Sequence, residues 1–257
     1  MIKFNTKYIF SISLVSAMGG LLFGYDWVVI GGAKPFYEKF FDIAQSPALQ
    51  GWAMSSALIG CLIGAVISGA LSDRLGRKRL LIFSSFLFTI SAIGTGASNG
   101  FELFIFYRIL GGIGIGLASN LSPMYIAEVS PAAVRGKFVS ITQLTIVIGI
   151  LLAQLANWQI AEPVAANATD AEILASWNGQ TGWRWMFWAE TIPAGLFFIM
   201  MFFVPESPRW LAKNGNEEKV GKILAKIGGW DYAKSEYRSI RETLAMEKGK
   251  VNFRHLL

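Results

Sequence analysis

A short polar stretch decides the fold of this chain: Gly69-Ala70-Leu71-Ser72-Asp73-Arg74-Leu75-Gly76-Arg77-Lys78-Arg79. It joins two apolar runs, at about 49–71 and 80–98. Each run has the length that crosses a bilayer as a helix, about 20 residues. A second marker, Pro205-Glu206-Ser207-Pro208-Arg209-Trp210-Leu211, follows another such run. Charged loops that alternate with apolar runs of this length predict a protein that crosses the membrane several times.

The composition supports a membrane protein. Hydrophobic residues make up 53% of the 257 residues and charged residues only 16%, whereas soluble domains have about 45–50% and 25%. The mean hydropathy is +0.46. The net charge of +6 does not indicate a nucleic-acid binder, because the basic residues lie in alternate gaps between apolar runs rather than in one patch.

Six apolar runs predict six transmembrane helices in an all-α fold, at about 8–32, 49–71, 80–98, 103–127, 138–160 and 184–204. The first run has a basic start, at Lys3 and Lys7, as a cleaved signal peptide would. Its apolar stretch is too long for a signal peptide, however, and no A-x-A-like cleavage site closes it. We therefore expect a retained first helix.

Lysine and arginine predict the orientation, because cytoplasmic loops carry an excess of these residues. They concentrate before run one, between runs two and three, between runs four and five, and after run six. The other connections carry only Lys34, Lys39 and Arg184, and the loop 161–183 is acidic. Both termini are therefore predicted in the cytoplasm, with the protein in the inner cell membrane.

The chain divides into two predicted domains, a six-helix bundle at 1–204 and a cytoplasmic segment at 205–257. Apolar residues recur at helical spacing around Ile223 and again around Tyr237, and Gly228-Gly229 separates the two sets. This pattern predicts short helices against the membrane face; a loosely ordered tail is the alternative. The only histidine, His255, is not expected to bind a ligand, and the last residues resemble the approach to a further helix.

Three ionisable residues fall inside apolar runs: Asp26, Arg108 and Glu190. Such residues are costly in a membrane and mark function by default. At 1.5 Å of rise per residue, all three lie roughly 8–9 Å below the outer boundary. Protonation of Asp26 would release Arg108 toward Glu190, which describes a proton-coupled switch. A static pair that fixes helix packing is the alternative.

Glycine and amide residues in the apolar runs have simpler interpretations. The stretch from Gly111 to Gly116 lacks the G-x-G-x-x-G spacing of a nucleotide loop, and no strand precedes it. We expect close helix packing there and at the Gly20 and Gly60 small-residue motifs. Gln143 is a candidate substrate contact, since an amide both donates and accepts hydrogen bonds; a hydrogen bond to a neighbouring helix is the alternative. Asn157 is expected either to pack between helices or to contact solvent near the external mouth.

Charged residues at the cytoplasmic helix ends form a separate candidate group. Acids and bases alternate there in a way that predicts ion-pair latches between bundles, whereas ordinary positive-inside anchoring is the alternative. The candidates are Asp73, Arg74, Arg77, Glu128, Arg135, Glu206 and Arg209.

These motifs together resemble the sugar porter family of the major facilitator superfamily. The stretches that carry the resemblance are Gly19–Asp26, Gly69–Arg79, Tyr107-Arg108, Ser122–Glu128, Arg135–Lys137, Gly182–Arg184 and Pro205–Leu211. The resemblance implies proton-coupled transport of a pentose or hexose by alternating access, and two inverted three-helix repeats. It also implies that Asp26 is the proton-linked carboxylate, that Arg108 and Glu190 are its partners, and that Gln143 and Phe23 contact sugar. A second glutamine of the family is replaced here by Ile150.

The family has twelve helices, so the chain looks like an amino-terminal half. It is expected to be a fragment, a truncated product, one part of a split carrier, or an inactive remnant. A non-transporting sugar receptor or regulatory membrane protein is the alternative function. An enzyme is not expected, because the sequence has no metal-ligand cluster and no nucleophile–base set, and no cofactor or metal is predicted. The expected partners are a monosaccharide, protons, the lipid bilayer and a separate second half, with no nucleic acid.

Overall fold

The computed structural model describes residues 4–165 and 167–247, and within them every regular element is helical. His255 and the last residues lie outside this range. Five helices in the described ranges are long and apolar enough to cross a membrane. They are α1 (Thr6–Phe40), α2 (Pro47–Leu75), α3 (Arg77–Ala97), α4 (Phe101–Val129) and α5 (Arg135–Ile160). Each contains one of the first five predicted runs or nearly all of it, which confirms the all-α fold.

The sixth apolar segment is not one continuous helix. A short helix α6 (Asp170–Ala175) and a π-helical turn (Asn178–Gly182) lead into α7 (Trp183–Ala189) and α8 (Thr191–Met201). The break falls at Glu190 because Pro193 has no N–H to donate to the carbonyl of Ala189, four residues earlier. The predicted run 184–204 is therefore built from two shorter helices, which meet at one of the predicted functional carboxylates.

The packing follows an inverted repeat. Helix α2 packs along α4, while α5 packs along α1, and α1 and α4 meet at the centre. Helix α3 contacts α4 and also α8, and the α7–α8 segment contacts α1. Exchanging the first three spans with the last three reproduces the most extensive contacts, since α2–α4 becomes α5–α1 and α3–α4 becomes the contact of the sixth segment with α1. This is the arrangement of two inverted three-helix repeats, which was predicted from the family resemblance.

Glycines set the close approach of the two central pairs. A Cβ atom at Gly60 or Gly64 on α2 would collide with a backbone carbonyl of α4, at Ile109 or Ile113. Gly24 on α1 approaches the carbonyl of Ile146 on α5 in the same way. Small residues allow such contact between membrane helices. The glycines therefore serve packing, as predicted, and they hold α1 and α4 in fixed positions for the charged residues those helices carry.

The segment after the bundle is mainly helical as far as residue 247. It contains α9 (Pro208–Lys213) and α10 (Glu217–Glu247), and α10 is kinked at Gly229, where φ is +84°. The first part of α10 is packed. The amide of Asn5 donates to the carbonyl of Ile227 at 2.8 Å, and the rings of Phe4 and Tyr232 lie 5.2 Å apart. The start of α1 thus holds the first half of α10 against the bundle, and a loosely ordered tail is wrong for this part.

Candidate functional site

A buried ion pair joins the two central helices. Arg108 on α4 donates a hydrogen bond from Nη1 to Oδ1 of Asp26 on α1. The two residues are only 3% and 5% exposed. A buried charge is tolerated when it has a partner of opposite sign. The structure therefore brings together the first two residues of the predicted switch, at the centre of the inverted repeat.

Glu190 lies beside this pair without joining it. It is 3% exposed, and its position at the α7–α8 break places its carboxylate within electrostatic range of Asp26 and Arg108. It forms no salt bridge with any residue of the described ranges. The guanidinium of Arg108 is 6.0 Å from the ring centre of Phe187, one turn before Glu190. One buried cation thus faces two buried carboxylates and is bonded to only one of them.

A cavity of about 200 Å³ opens next to the ion pair, between α1, α2 and α4. Asp26 and Arg108 form its polar part, and Phe23, Trp27, Met54 and Cys61 are among its apolar lining. The Nε atom of Arg108 is buried and has no hydrogen-bond partner. The pair is therefore reachable from a space large enough for water or a small ligand, and Arg108 retains a donor for a second acceptor.

The amide residues of α5 have different surroundings. Gln143 is exposed, forms no hydrogen bond with a described residue and does not line the cavity at Asp26. Asn157 is buried, its amide nitrogen is 3.5 Å from the carbonyl oxygen of Val29, and its side chain fills the space over Gly32. Of the two interpretations of Asn157, packing between helices is the one that the structure shows. Phe23 reaches the cavity, whereas Gln143 is presented on an open helix face.

Arg77 is the centre of a second charged cluster, at the opposite end of the bundle. It is 7% exposed, and its Nη2 donates to Oε1 of Glu128 at 3.0 Å. Its Nη1 lies 3.3 Å from Oδ1 of Asp73 and donates to the carbonyl of Ser72 at 3.0 Å. One guanidinium therefore ties the α2–α3 loop to the end of α4, which fits its planar fork of donors.

Glu206 completes this cluster from the segment that follows α8. Its Oε1 accepts backbone N–H bonds from Arg77, Lys78 and Ser207 at 3.1, 3.0 and 2.8 Å. The hydroxyl of Ser207 in turn donates to Glu128. Gly76 has φ +93°, and a Cβ there would collide with the Glu206 carboxylate. The close approach of the two motifs quoted at the outset therefore requires this glycine.

The residues of this second cluster, centred on Arg77, differ in part from those predicted for the cytoplasmic helix ends. Arg209 lines a small cavity with Asp73 and Arg77, but Arg74 and Arg135 are exposed and form no salt bridge with any residue that the structure describes. Lys213 was missed, and its Nζ lies 2.9 Å from Asp73 Oδ2. The ion pairs connect helices of this bundle to its own following segment, so latches between two bundles remain a prediction.

Another feature that sequence reasoning missed lies near the predicted outer face. The Arg184 guanidinium is 4.7 Å from the ring centre of Phe40 and 4.5 Å from that of Trp183. It also donates to the carbonyls of Gly96 and Ser98 at 2.8 and 2.6 Å. Arginine stacks on aromatic faces and binds carbonyls with the same group. The Gly182-Trp183-Arg184 motif thus fixes the start of the sixth segment to α1 and α3.

Comparison with known proteins places these features in a family. The family model described as "Sugar (and other) transporter" matches residues 12–257. The "Glucose transport protein" of Synechocystis is 44% identical over 253 residues, which cover 98% of this chain and 52% of that protein. The "D-xylose-proton symporter" of Escherichia coli K12 is 42% identical, over 94% of this chain and 52% of that protein.

A solved structure shares the same architecture. It is the proton:xylose symporter XylE of the major facilitator superfamily, bound to 6-bromo-6-deoxy-D-glucose, with a TM-score of 0.88 and 39% identity. The match covers 99% of this chain and 57% of that one. The chain spans about half the length of the curated relatives it matches. From the family model and the relatives together, the chain belongs to the sugar transporter family of multi-pass membrane proteins.

Proposed function

We propose that this six-helix unit forms the amino-terminal half of a carrier that moves a monosaccharide together with protons. Relatives named as a glucose transport protein and a D-xylose-proton symporter support sugar as the substrate class. Both pentose and hexose carriers are represented among these names. A second bundle would supply the opposite wall of the sugar path and the body against which this unit rocks. The carrier acts without chemical conversion of the sugar.

The observation that carries the proposal is the buried Asp26–Arg108 pair beside an open cavity, with Glu190 as a second carboxylate. One guanidinium neutralises one carboxylate at a time, and a buried carboxylate without a partner takes up a proton. When Asp26 is protonated, Arg108 is free to move toward Glu190. Proton binding and the choice of ion pair are therefore linked, and an ion-pair exchange between helices of both repeats provides the coupling.

Two other predicted residues suit sugar contact. Gln143 presents an unpaired amide on the open face of α5, and Phe23 lines the cavity beside Asp26. An amide bonds sugar hydroxyls as donor and as acceptor, and an aromatic ring covers the apolar face of the sugar ring. Helices α1 and α5 pack along each other. In this proposal, sugar is recognised on the side of the bundle that the second half would face.

The cluster centred on Arg77 is proposed to hold the cytoplasmic face closed in one state, and its ion pairs are proposed to separate in another. It lies at the ends of α2 and α4, where the positive-inside pattern predicts the cytoplasm. Residues 1–204 then form the membrane bundle and 205–257 a cytoplasmic segment, with both termini inside the cell. Its buried arginine makes the cluster a strong link, because removal of one partner leaves a charge without compensation.

Proton flux measured directly tests this function. A complete carrier containing this unit is placed in de-energised, weakly buffered vesicles, and the external pH is followed after addition of xylose, arabinose or glucose. A symporter raises the external pH as sugar enters, and an ionophore for protons abolishes the change. Sugar entry with no change in pH would make the protein a facilitator and refute the coupling. Absence of entry for all three sugars would refute the substrate class.

A further inference from the structure

A cavity of about 560 Å³ lies where the beginning of α3, the 205–211 segment and α10 meet. It is separate from the space beside Asp26 and has a mixed lining. Its cations are Lys78, Arg79, Lys219 and Lys222, and its apolar side chains include Ile82 and Ile223. A basic pocket at the edge of a membrane bundle has the character of a lipid headgroup site.

The carboxylates near this cavity do not neutralise it. Glu206 lines it, but its Oε1 already accepts three backbone N–H bonds. Lys222 pairs with Glu218 at 2.5 Å, and both side chains are exposed, so water and salt screen this pair strongly. Lys222 can therefore exchange Glu218 for another anion. Four cations against two engaged carboxylates leave a surplus of positive charge that can bind an anion.

The cavity also lies at the membrane boundary. The Nζ atom of Lys78 donates to the carbonyl of Phe202 at 2.7 Å, at the end of the sixth apolar segment. Phe202 and the next residue, Phe203, are 53% and 84% exposed. In a bilayer such side chains contact acyl chains. One edge of the cavity thus borders lipid, whereas α10 supplies lysines from the aqueous side, and an amphiphilic anion fits both edges.

We propose that this cavity binds the phosphate headgroup of an anionic phospholipid, in the inner leaflet under the orientation proposed above. Lys219 and Lys222 on α10 bind the phosphate together with Arg79, and Ile82 meets the glycerol end. The Lys78 ammonium group donates one of its three hydrogen bonds to Phe202, so two N–H donors are available to the ligand. Free phosphate shares this recognition chemistry but has no acyl chains to lie along the exposed phenylalanines.

Native mass spectrometry of the purified chain in detergent tests the site independently of membrane orientation and of transport. Phosphatidylglycerol and phosphatidylcholine are titrated into three proteins: wild type, Lys219→Gln/Lys222→Gln, and the control Lys226→Gln/Lys234→Gln. The control lysines are exposed, lie on the same helix and do not line the cavity. Wild type should prefer phosphatidylglycerol, and loss of two cavity cations should weaken that preference roughly tenfold. The control should retain it.

A Lys219→Arg/Lys222→Arg variant should bind phosphatidylglycerol as wild type does, which separates charge from folding. Equal weakening in the control variant would assign the preference to diffuse surface charge and overturn the proposal. Equal affinity of wild type for both lipids would also overturn it. Complete displacement of phosphatidylglycerol by millimolar inorganic phosphate would identify a site for a soluble anion rather than for a lipid.

Discussion

Arg108 on α4 is hydrogen-bonded to Asp26 on α1, and this buried pair joins the two helices that are equivalent in the inverted repeat. Glycines on α1 and α2 allow α1 to pack closely on α5 and α2 to pack closely on α4. A second buried carboxylate, Glu190, interacts with the charges of this pair and comes from the break that Pro193 makes in the sixth segment. The proposed proton acceptor, its counter-ion and the second carboxylate are therefore all positioned by helices rather than by loops.

The first prediction concerns the stability of this pair. Asp26→Leu removes the hydrogen-bonded partner of Arg108 and leaves Glu190 as the one carboxylate that can compensate it, so the free energy of unfolding should fall by roughly 3 kcal/mol, the lower end of the range for a broken buried pair. The double variant Asp26→Leu/Arg108→Leu should recover most of that loss, since both charges are gone and Glu190 takes up a proton. Thermal unfolding in detergent measures both. Additive losses in the double variant would show that the two side chains do not interact.

Arg74, in the last turn of α2, and Arg77, at the start of α3, provide a matched pair from one basic stretch. Arg77→Gln removes a buried cation from Glu128 and Asp73 and should cost roughly 3 kcal/mol of stability. Arg74→Gln changes an exposed side chain that forms no salt bridge with a described residue, and it should stay within about 0.5 kcal/mol. Urea or thermal unfolding of the purified variants gives the comparison. Equal effects would mean that net loop charge matters rather than the geometry of the cluster.

Two glycines of α2 should respond to alanine with opposite sign. At Gly64 the added Cβ collides with the backbone of Ile113 on α4, whereas at Gly69 it meets nothing within 4 Å. Gly64→Ala should destabilise by about 1–3 kcal/mol through overpacking. Gly69→Ala should stabilise by about 0.5–1 kcal/mol, because alanine loses less backbone entropy in a helix. Melting temperatures that fall equally would contradict the close α2–α4 contact.

The orientation is tested by labelling from one side of the membrane. In a Cys61→Ser background, a cysteine replacing Ala168 should react with an impermeant maleimide in intact cells. A cysteine replacing Asn214 should react only after the cells are permeabilised. The expectation rests on the excess of lysine and arginine in alternate loops. Reaction of both positions in intact cells would refute the proposed topology.

Much of the fold could be predicted because its causes are local. Apolar runs of sufficient length predicted the long helices, and Gly228-Gly229 predicted the kink that α10 makes at Gly229. The split of the sixth segment was not predicted, although Pro193 is present in the sequence. Apolar composition predicts that a segment crosses the membrane, but it does not show where the backbone hydrogen bonds of the helix are interrupted. Helix α1 also extends to Phe40, beyond the predicted end near 32, since an amphipathic turn continues it past the apolar stretch.

The site was predictable only in part. Depth along each run correctly suggested that Asp26 and Arg108 meet. Sequence did not separate Arg77, which is buried, from Arg74, which is exposed, since both lie in the same basic stretch. Lys213 reaches Asp73 across 140 positions of the chain, and only tertiary packing creates such a contact. Gln143 shares no cavity with Asp26, so its role in sugar contact depends on the proposed second half.

The most direct test of the account is Asp26→Asn in a complete carrier that contains this unit. Asparagine cannot bind and release a proton, but its amide oxygen still accepts a hydrogen bond from Arg108. Proton-driven sugar uptake and equilibrium sugar exchange are measured in the same vesicles. We predict that accumulation against a gradient is lost while exchange continues. Undiminished accumulation would contradict Asp26 as the proton site, and loss of both activities would indicate a pair that serves structure alone.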